Sequence, residues 1–320
     1  MEFDLIARIR SRARPRDDVV AGIGDDAAML QPAAGHELVV TTDVLNAGVH
    51  FLASDAPADI GWKALAVNLS DLAAMGAAPA WCTLSLTLPD ADAAWCEAML
   101  DGFFELADAH GVALVGGDTT RGPLALGVTA MGQVAAGRAL RRGAARPGDD
   151  VWASGTLGDA AAALAQGQGA GDVDAFLRGR LRRPTPRIVL GAALGGLAHA
   201  CIDLSDGLVS DLGHVCTASG VAADVRLDAL PASPALRAAT ADDATRWTWQ
   251  VAGGDDYELC FTAPAAAREA IDAAAAGAGV PVTRIGAIIE ARNGGPGIRL
   301  LDSSGRSWQP ARTGYQHFAP

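Results

Sequence analysis

The sequence predicts an α/β protein of two domains, on three observations. The chain has 320 residues, enough for two domains of ordinary size with a core in each. Half of it is hydrophobic, and strand-like runs alternate with helix-like ones throughout. Midway, RALRRGAARPGDD (138–150) is polar, charged and broken by Pro147–Gly148, the composition of a boundary. We read an N-terminal domain over 1–137 and a C-terminal domain over 148–320.

In order, Glu2 to Ala13 reads as a short helix ended by Arg14–Pro15. Gly22–Ile23–Gly24–Asp25–Asp26–Ala27–Ala28 follows, an acidic pair whose adjacent charges repel unless water or a cation shares them. An exposed turn would serve such a pair equally. Leu38 to Val44 is a buried strand with Thr41, Thr42 and Asp43 at its end, three oxygen donors that suit a hard cation or a simple turn. His50 lies in the next loop. Ala58 to Gly76 is helical. At about 100° per residue Trp62, Leu65, Leu69 and Leu72 share one side. Lys63, Ser70 and Asp71 lie opposite, with Asn68 at the edge, among small residues that admit a close approach. Trp81 to Leu88 is a strand and Asp92 to His110 an amphipathic helix. Val112 to Val115 is a strand ending in Gly116–Gly117–Asp118–Thr119–Thr120, where glycines let amides face a ligand. Leu124 to Val134 is the last strand before the boundary.

The second half restarts with a strand over Asp150 to Ser154 and an Ala-rich helix after Gly155–Asp159. Gln166 to Val173 is a loop, and RGRLRRPTPR (178–187) reads as a solvated basic face. A strand over Ala200 to Leu204 leads into Asp203–Leu204–Ser205–Asp206–Gly207–Leu208, where Ser205 or Asp206 would cap the next helix. Two acids and a hydroxyl at a positive helix end make a natural phosphate and metal site. Ala222 to Leu227 and Glu258 to Thr262 are strands, the second preceded by Gly253–Gly254–Asp255–Asp256–Tyr257. Pro264 to Ala276 reads as a helix with proline first, and Thr283 to Ile289 and Ile298 to Leu301 as strands.

Composition bounds the function. A net charge of −12 repels nucleic acid, so no nucleic-acid partner is expected, and phosphate ligands would need cations between them and the protein. The five cysteines lack CxxC spacing and read as reduced, buried thiols of a cytoplasmic protein. The opening MEFDLIARIRSRARPRDD lacks the apolar centre of a signal peptide, and no apolar run reaches membrane-spanning length. Acids recur at predicted strand ends and helix starts: Asp25, Asp26, Asp43, Asp71, Asp118, Asp203 and Asp206. If they converge, oxygen-only ligation points to magnesium rather than zinc, and magnesium to a nucleoside triphosphate. The sequence has no GxxxxGK[ST], no protein-kinase HRD or DFG set and no GxSxG elbow.

GIGDDAA (22–28), TTDVLNAGVHF (41–51), KALAVNLSDLAAMGA (63–77), GGDTTRG (116–122), IDLSDGL (202–208), GGDDYEL (253–259) and GYQHF (314–318) together resemble the motif series of the thiamine-monophosphate kinase family. They stand in the family's order and run nearly the length of the chain. The resemblance implies the fold shared with aminoimidazole ribonucleotide synthetase and selenophosphate synthetase. In that fold an N-terminal mixed-sheet domain dimerises through its sheet, and a C-terminal α/β domain completes a cleft site. It implies a homodimer, with ATP as co-substrate and thiamine monophosphate as acceptor. Carried over by motif, Asp26, Thr41, Thr42, Asp43, Asp71, Asp118, Asp203 and Asp206 would bind several magnesium ions. Gly117, Asp118, Arg142 and Ser205 would contact ATP. His50, Asp255 and Tyr315 would line the acceptor pocket, and no residue would serve as a covalent nucleophile. Transfer would be direct and in line.

Two residues depart from the family pattern: Asp255 stands where it has Glu, and Gln316 where it has Asp. Both lie in acceptor-side motifs. Among rival readings, a selenophosphate synthetase would need a reactive Cys or selenocysteine near its N-terminus, and no Cys precedes Cys82. A non-catalytic relative would have lost metal carboxylates, and none is missing.

Overall fold

The computed structural model of the chain describes all residues except Met1, Ala91, 169–171, 292–294, Gln316 and 319–320, and the backbone alone over 2–5. The chain divides into two compact units, 1–72 with 77–137, and 73–76 with 138–320.

The first unit contains α1 (Glu2–Arg12), β1 (Val19–Ala21), β2 (Met29–Leu30), β3 (His36–Asn46), α2 (Pro57–Ala74, ending in the second unit), β4 (Ala78–Leu88), α3 (Ala93–Ala109), β5 (Ala113–Arg121) and β6 (Ala125–Ala135). Four strands form a mixed sheet in the order β3-β6-β4-β5. β6 pairs antiparallel with β3 and β4, whereas β4 and β5 run parallel and need the long crossover that α3 supplies. Asp92 caps α3, its Oδ1 accepting from the amides of Ala94 and Trp95. α2 and α3 touch backbone to backbone. A Cβ on Gly61 would lie 2.0 Å from the Met99 carbonyl oxygen, and one on Gly102 would lie 1.8 Å from that of Ala58. With Leu65, Leu69 and Leu72 inward and Lys63, Asn68 and Ser70 also buried, α2 is a core helix on nearly every side.

The second unit contains β7 (Asp149–Ser154), α4 (Asp159–Gly167), α5 (Ala175–Arg182), α6 (Ile188–Ala193), β8 (Ala200–Asp203), α7 (Leu208–Ser219), β9 (Val221–Arg226), α8 (Pro234–Ala239), α9 (Asp243–Ala252), β10 (Leu259–Pro264), α10 (Arg268–Ala278), β11 (Val282–Glu290), β12 (Gly297–Leu301) and β13 (Ser307–Trp308). They build a seven-stranded sheet, β13-β12-β9-β11-β7-β10-β8, in which, among the described residues, β9 and β12 pair in parallel and the other neighbours antiparallel. Alternate residues feed two cores, one on each face. Val151, Ile202 and Cys260 pack with Leu208, Leu212 and Val215 of α7. Trp152, Cys201 and Phe261 pack with Leu190 of α6 and Ile271 of α10. Both faces being covered explains why β8 and β10 are buried along nearly their whole length.

Several local expectations are corrected. Thr41, Thr42 and Asp43 lie inside β3 rather than at its end, because pairing with β6 continues to Asn46. Gly116 to Thr120 is part of β5, held extended by its register with β4. Pro264 closes β10, and a short 3₁₀ turn (Ala265–Ala267) separates it from α10. α7 starts at Leu208 behind Gly207, which makes no side-chain cap. The basic stretch is no uniform solvated face: Arg180 and Arg187 pair with Glu258, which is fully buried. No helix among the described residues is long and apolar enough to cross a membrane.

Candidate functional site

In the first unit, the loop of Gly22 to Ala28 and the β5 segment Gly116 to Thr119 face each other across a cavity of about 400 Å³. Asp25, Asp26, Gly117 and Asp118 line it, with Ile6 and Ile9 of α1 and Leu84 of β4 on its apolar side. Asp25 folds onto its own loop, its Oδ1 accepting the Asp26 amide at 2.9 Å, and Asp118 likewise accepts the Thr119 amide at 2.9 Å. Gly117 must be glycine, since a Cβ there would lie 1.9 Å from the Leu84 carbonyl oxygen.

On β3 the two-residue alternation sends Thr41 and Asp43 to one face and Thr42 to the other. Thr41 donates from Oγ1 to Asp71 Oδ2, so α2 and β3 bring those two motifs together. Asp43 shares this environment: burial first, and the charge of Asp71 second, push its carboxyl up to about 6. Thr42 instead donates to the Val128 carbonyl and accepts from Thr129, both at 3.1 Å. His50 accepts the Asn46 amide at Nδ1 (3.0 Å), and the buried Lys63 donates to the His50 carbonyl (3.2 Å). A neutral His50 ring therefore carries its proton on Nε2.

In the second unit, three loops are stitched together by main-chain bonds. The amides of Asp255 and Tyr257 donate to the carbonyls of Ser205 and Leu204 at 2.8 Å, and the Tyr315 amide donates to that of Asp206 at 3.1 Å. The motifs holding Asp203, Ser205, Asp206, Asp255 and Tyr315 are thus gathered in one place. Asp206 has its carboxyl raised, by burial first; His317, His214 and Arg142 act against that and Asp255 adds to it. Those groups therefore share its field. Gln316 lies outside the described residues.

The sequence reading missed Asp211. It lies one turn into α7, almost fully buried, and its Oδ2 accepts the amides of both Asp206 and Gly207 at 3.1 Å. The helix start is satisfied from within instead of from the loop. Burial and then the nearby Asp206 push Asp211 up to about 7. An Asp four residues past a helix-starting glycine was the available signal. Also missed was the buried Glu258, which receives Ser154, Arg180 and Arg187.

No three His, Cys, Asp or Glu side chains among the described residues gather closely enough to hold a metal ion by themselves. The side chains that these motifs bring together, Thr41, Asp43 and Asp71 among them, offer oxygen donors, the kind a hard cation takes. An ion of that kind takes one or two carboxylates and completes its shell with water and substrate phosphate.

Comparison with known proteins places this geometry in a family. Residues 24–134 match the N-terminal domain of AIR synthase related proteins, and residues 146–298 match the C-terminal domain. The thiamine-monophosphate kinase of Salmonella typhimurium (strain LT2) is 49% identical over 324 residues, covering 99% of this chain and 98% of its own. The crystal structure of thiamine-monophosphate kinase from Stenotrophomonas maltophilia K279a superposes with a TM-score of 0.87 at 55% identity, covering 96% of this chain and 98% of that one. AaThiL complexed with AMPPCP and TMP superposes with a TM-score of 0.77 at 32% identity, covering 99% and 96%. Motif order, two-unit fold and full-length similarity agree, and the chain belongs to the thiamine-monophosphate kinase family.

Proposed function

We propose that this chain transfers the γ-phosphoryl group of ATP to thiamine monophosphate, forming thiamine diphosphate and ADP. The observation that carries the reading is the Asp43–Asp71 neighbourhood. Two acids held together in a partly buried setting, one of them raised to about 6 by burial and then by the charge of the other, suit a cation-assisted phosphoryl transfer. Support comes from the solved relative that holds an ATP analogue and TMP.

The oxygen-only donors fit magnesium. Asp26, Thr41, Asp43, Asp71 and Asp118 of the first unit, and Asp203 and Asp206 of the second, would hold several ions, whereas the Thr42 side chain, turned to the other face of β3 and bonded to Val128 and Thr129, would take no part. Bound magnesium would neutralise phosphate charge. The chain's own groups do the rest. Gly117 gives the triphosphate close access to the backbone, and Arg142 and Ser205 contact ATP. His50 offers its Nε2 proton to the acceptor's phosphate. Asp255 and Tyr315 receive its cationic portion. In the transfer an oxygen of the acceptor phosphate bonds to the γ-phosphorus. The bond to the β–γ bridging oxygen breaks, and its electron pair leaves with ADP. The acceptor oxygen is already ionised near neutral pH, so neither a strong base nor a covalent nucleophile is needed.

We also read the protein as a cytoplasmic homodimer. All five cysteines are free and buried. Leu38, Val40 and Val44 on the outer face of β3 are 47%, 55% and 54% exposed, an apolar strip that a second copy would cover. Val40→Asp should then sediment as a monomer, and a dimeric variant would place the interface elsewhere.

ADP release measured with thiamine monophosphate, with thiamine and with no acceptor tests the function. Turnover should depend on thiamine monophosphate. Equal release in all three would overturn the acceptor assignment.

A further inference from the structure

The basic stretch 178–187 has no part in the function proposed above, yet Arg180 is drawn into the interior. Its side chain is only 11% exposed. Its Nη2 donates to the backbone carbonyl of Asp256 and to Glu258 Oε1, each at 2.9 Å. Asp256 is 2% exposed, and both its carboxylate oxygens lie 3.0 Å from the Gly158 amide. Residue 256 is therefore gripped twice, through its carbonyl by α5 and through its side chain by the turn before α4. That turn must carry glycine. Gly158 has φ +86°, and a Cβ there would lie 2.9 Å from the Gln250 amide nitrogen.

The consequence appears on either side. Asp255 (φ +60°) and Tyr257 (φ +49°) are the non-glycine residues with positive φ among those described. This left-handed conformation is unfavourable for L side chains and persists only where the surroundings enforce it. Here the enforcement is visible: residue 256 is pulled inward, while the amides of 255 and 257 are tied to the carbonyls of Ser205 and Leu204. Tyr257 then donates its hydroxyl to Asp255 Oδ1 at 3.1 Å, fixing that carboxylate within the field of Asp206. A solvent-exposed turn would relax out of both left-handed conformations.

We infer that Arg180 and Asp256 are positioning residues for acceptor binding, holding the 255–257 loop so that Asp255 faces the substrate. The inference rests on Asp255 being an acceptor-side residue, and the test separates the two claims. Steady-state kinetics in both substrates, with thermal unfolding, are measured for Asp255→Ala, Asp256→Ala, Asp256→Asn and Arg180→Lys.

An unchanged acceptor KM in a stable Asp255→Ala protein removes Asp255 from the pocket and the inference with it. Where Asp255→Ala raises that KM, Asp256→Ala should raise it about tenfold or more, with the KM for ATP within about twofold of the parent. Asp256→Asn retains an oxygen for the Gly158 amide and should stay within about threefold of the parent. Arg180→Lys keeps the charge but loses the planar guanidinium that aims Nη2 at both the Asp256 carbonyl and Glu258, so acceptor KM should rise about fivefold. If Asp256→Ala does not fold, Arg180→Lys decides. A parent-like acceptor KM in stable Asp256→Ala or Arg180→Lys overturns the inference. So does a parallel rise in both KM values, or an Asp256→Asn as impaired as Asp256→Ala.

Discussion

Asp71→Asn exchanges one oxygen for an amino group, conserving size while removing a charge. The Thr41 hydroxyl keeps its acceptor, because the asparagine Oδ1 can take the place of Asp71 Oδ2. Asp43 stands at about 6 against an ordinary 3.8, from burial first and Asp71 second. That rise corresponds to about 3 kcal/mol at neutral pH, and solvent reaching the half-open site trims it to about 2. Asp71 supplies the smaller share, so about 1 kcal/mol of repulsion disappears in the variant. The metal-free protein should melt about 2 °C higher. Activity should move the opposite way. A carboxylate lost from a cation that neutralises transferring phosphate costs about 3–4 kcal/mol, or about 10²–10³-fold in kcat/KM. ADP release across a magnesium titration, with calorimetry on the same preparations, reads both quantities. A stable variant within about tenfold of the parent at saturating magnesium would refute Asp71 as a metal ligand. Loss of activity together with melting temperature would make it a structural carboxylate instead.

Asp211→Asn tests the buried acid beneath the Asp206 loop. With a folded value of about 7 against 3.8, the native state keeps a proton that the unfolded chain has released. This group therefore costs stability as pH rises from about 4 to about 7, and contributes no slope outside that window. The variant's melting temperature should depend less on pH across it; an unchanged slope assigns the titration elsewhere. Glu258→Ala leaves two largely buried guanidinium groups without their carboxylate, so unfolding free energy should fall by about 3 kcal/mol in denaturant titrations. A shift under about 1 kcal/mol would mean the arginines find other partners. Incubation with γ-labelled ATP and no acceptor should leave the denatured protein unlabelled. A label that chases into thiamine diphosphate would require a two-step mechanism.

The residues of the candidate site stand out in the sequence because they come in short polar blocks interrupting apolar runs. Asp92 was readable as the start of α3 because a cap acts within three residues. Where the reading went astray, a distant strand had overruled a local preference. Thr41 to Asp43 resemble a turn in isolation, yet β6, some 86 residues onward in the chain, carries them on as strand. Gly116 and Gly117 have little strand propensity of their own, and pairing with β4 keeps them extended. For RGRLRRPTPR the local charge argues for solvent, and the deciding partner, Glu258, lies 71 residues beyond Arg187.

The amino-acid order alone therefore determined the α/β class and the place of many strands and helices, and it singled out the acids of the recurring motifs. Periodicity, caps and short motifs act over a few residues and are written in sequence. Only the tertiary structure decided that Thr41 meets Asp71 while Thr42 turns away, and that Asp211 rather than the loop acids satisfies the start of α7. It alone twisted Asp255 and Tyr257 into left-handed backbone around a buried Asp256. Burial, charge proximity and enforced strain depend on groups brought together from far along the chain, and no local pattern encodes their distance.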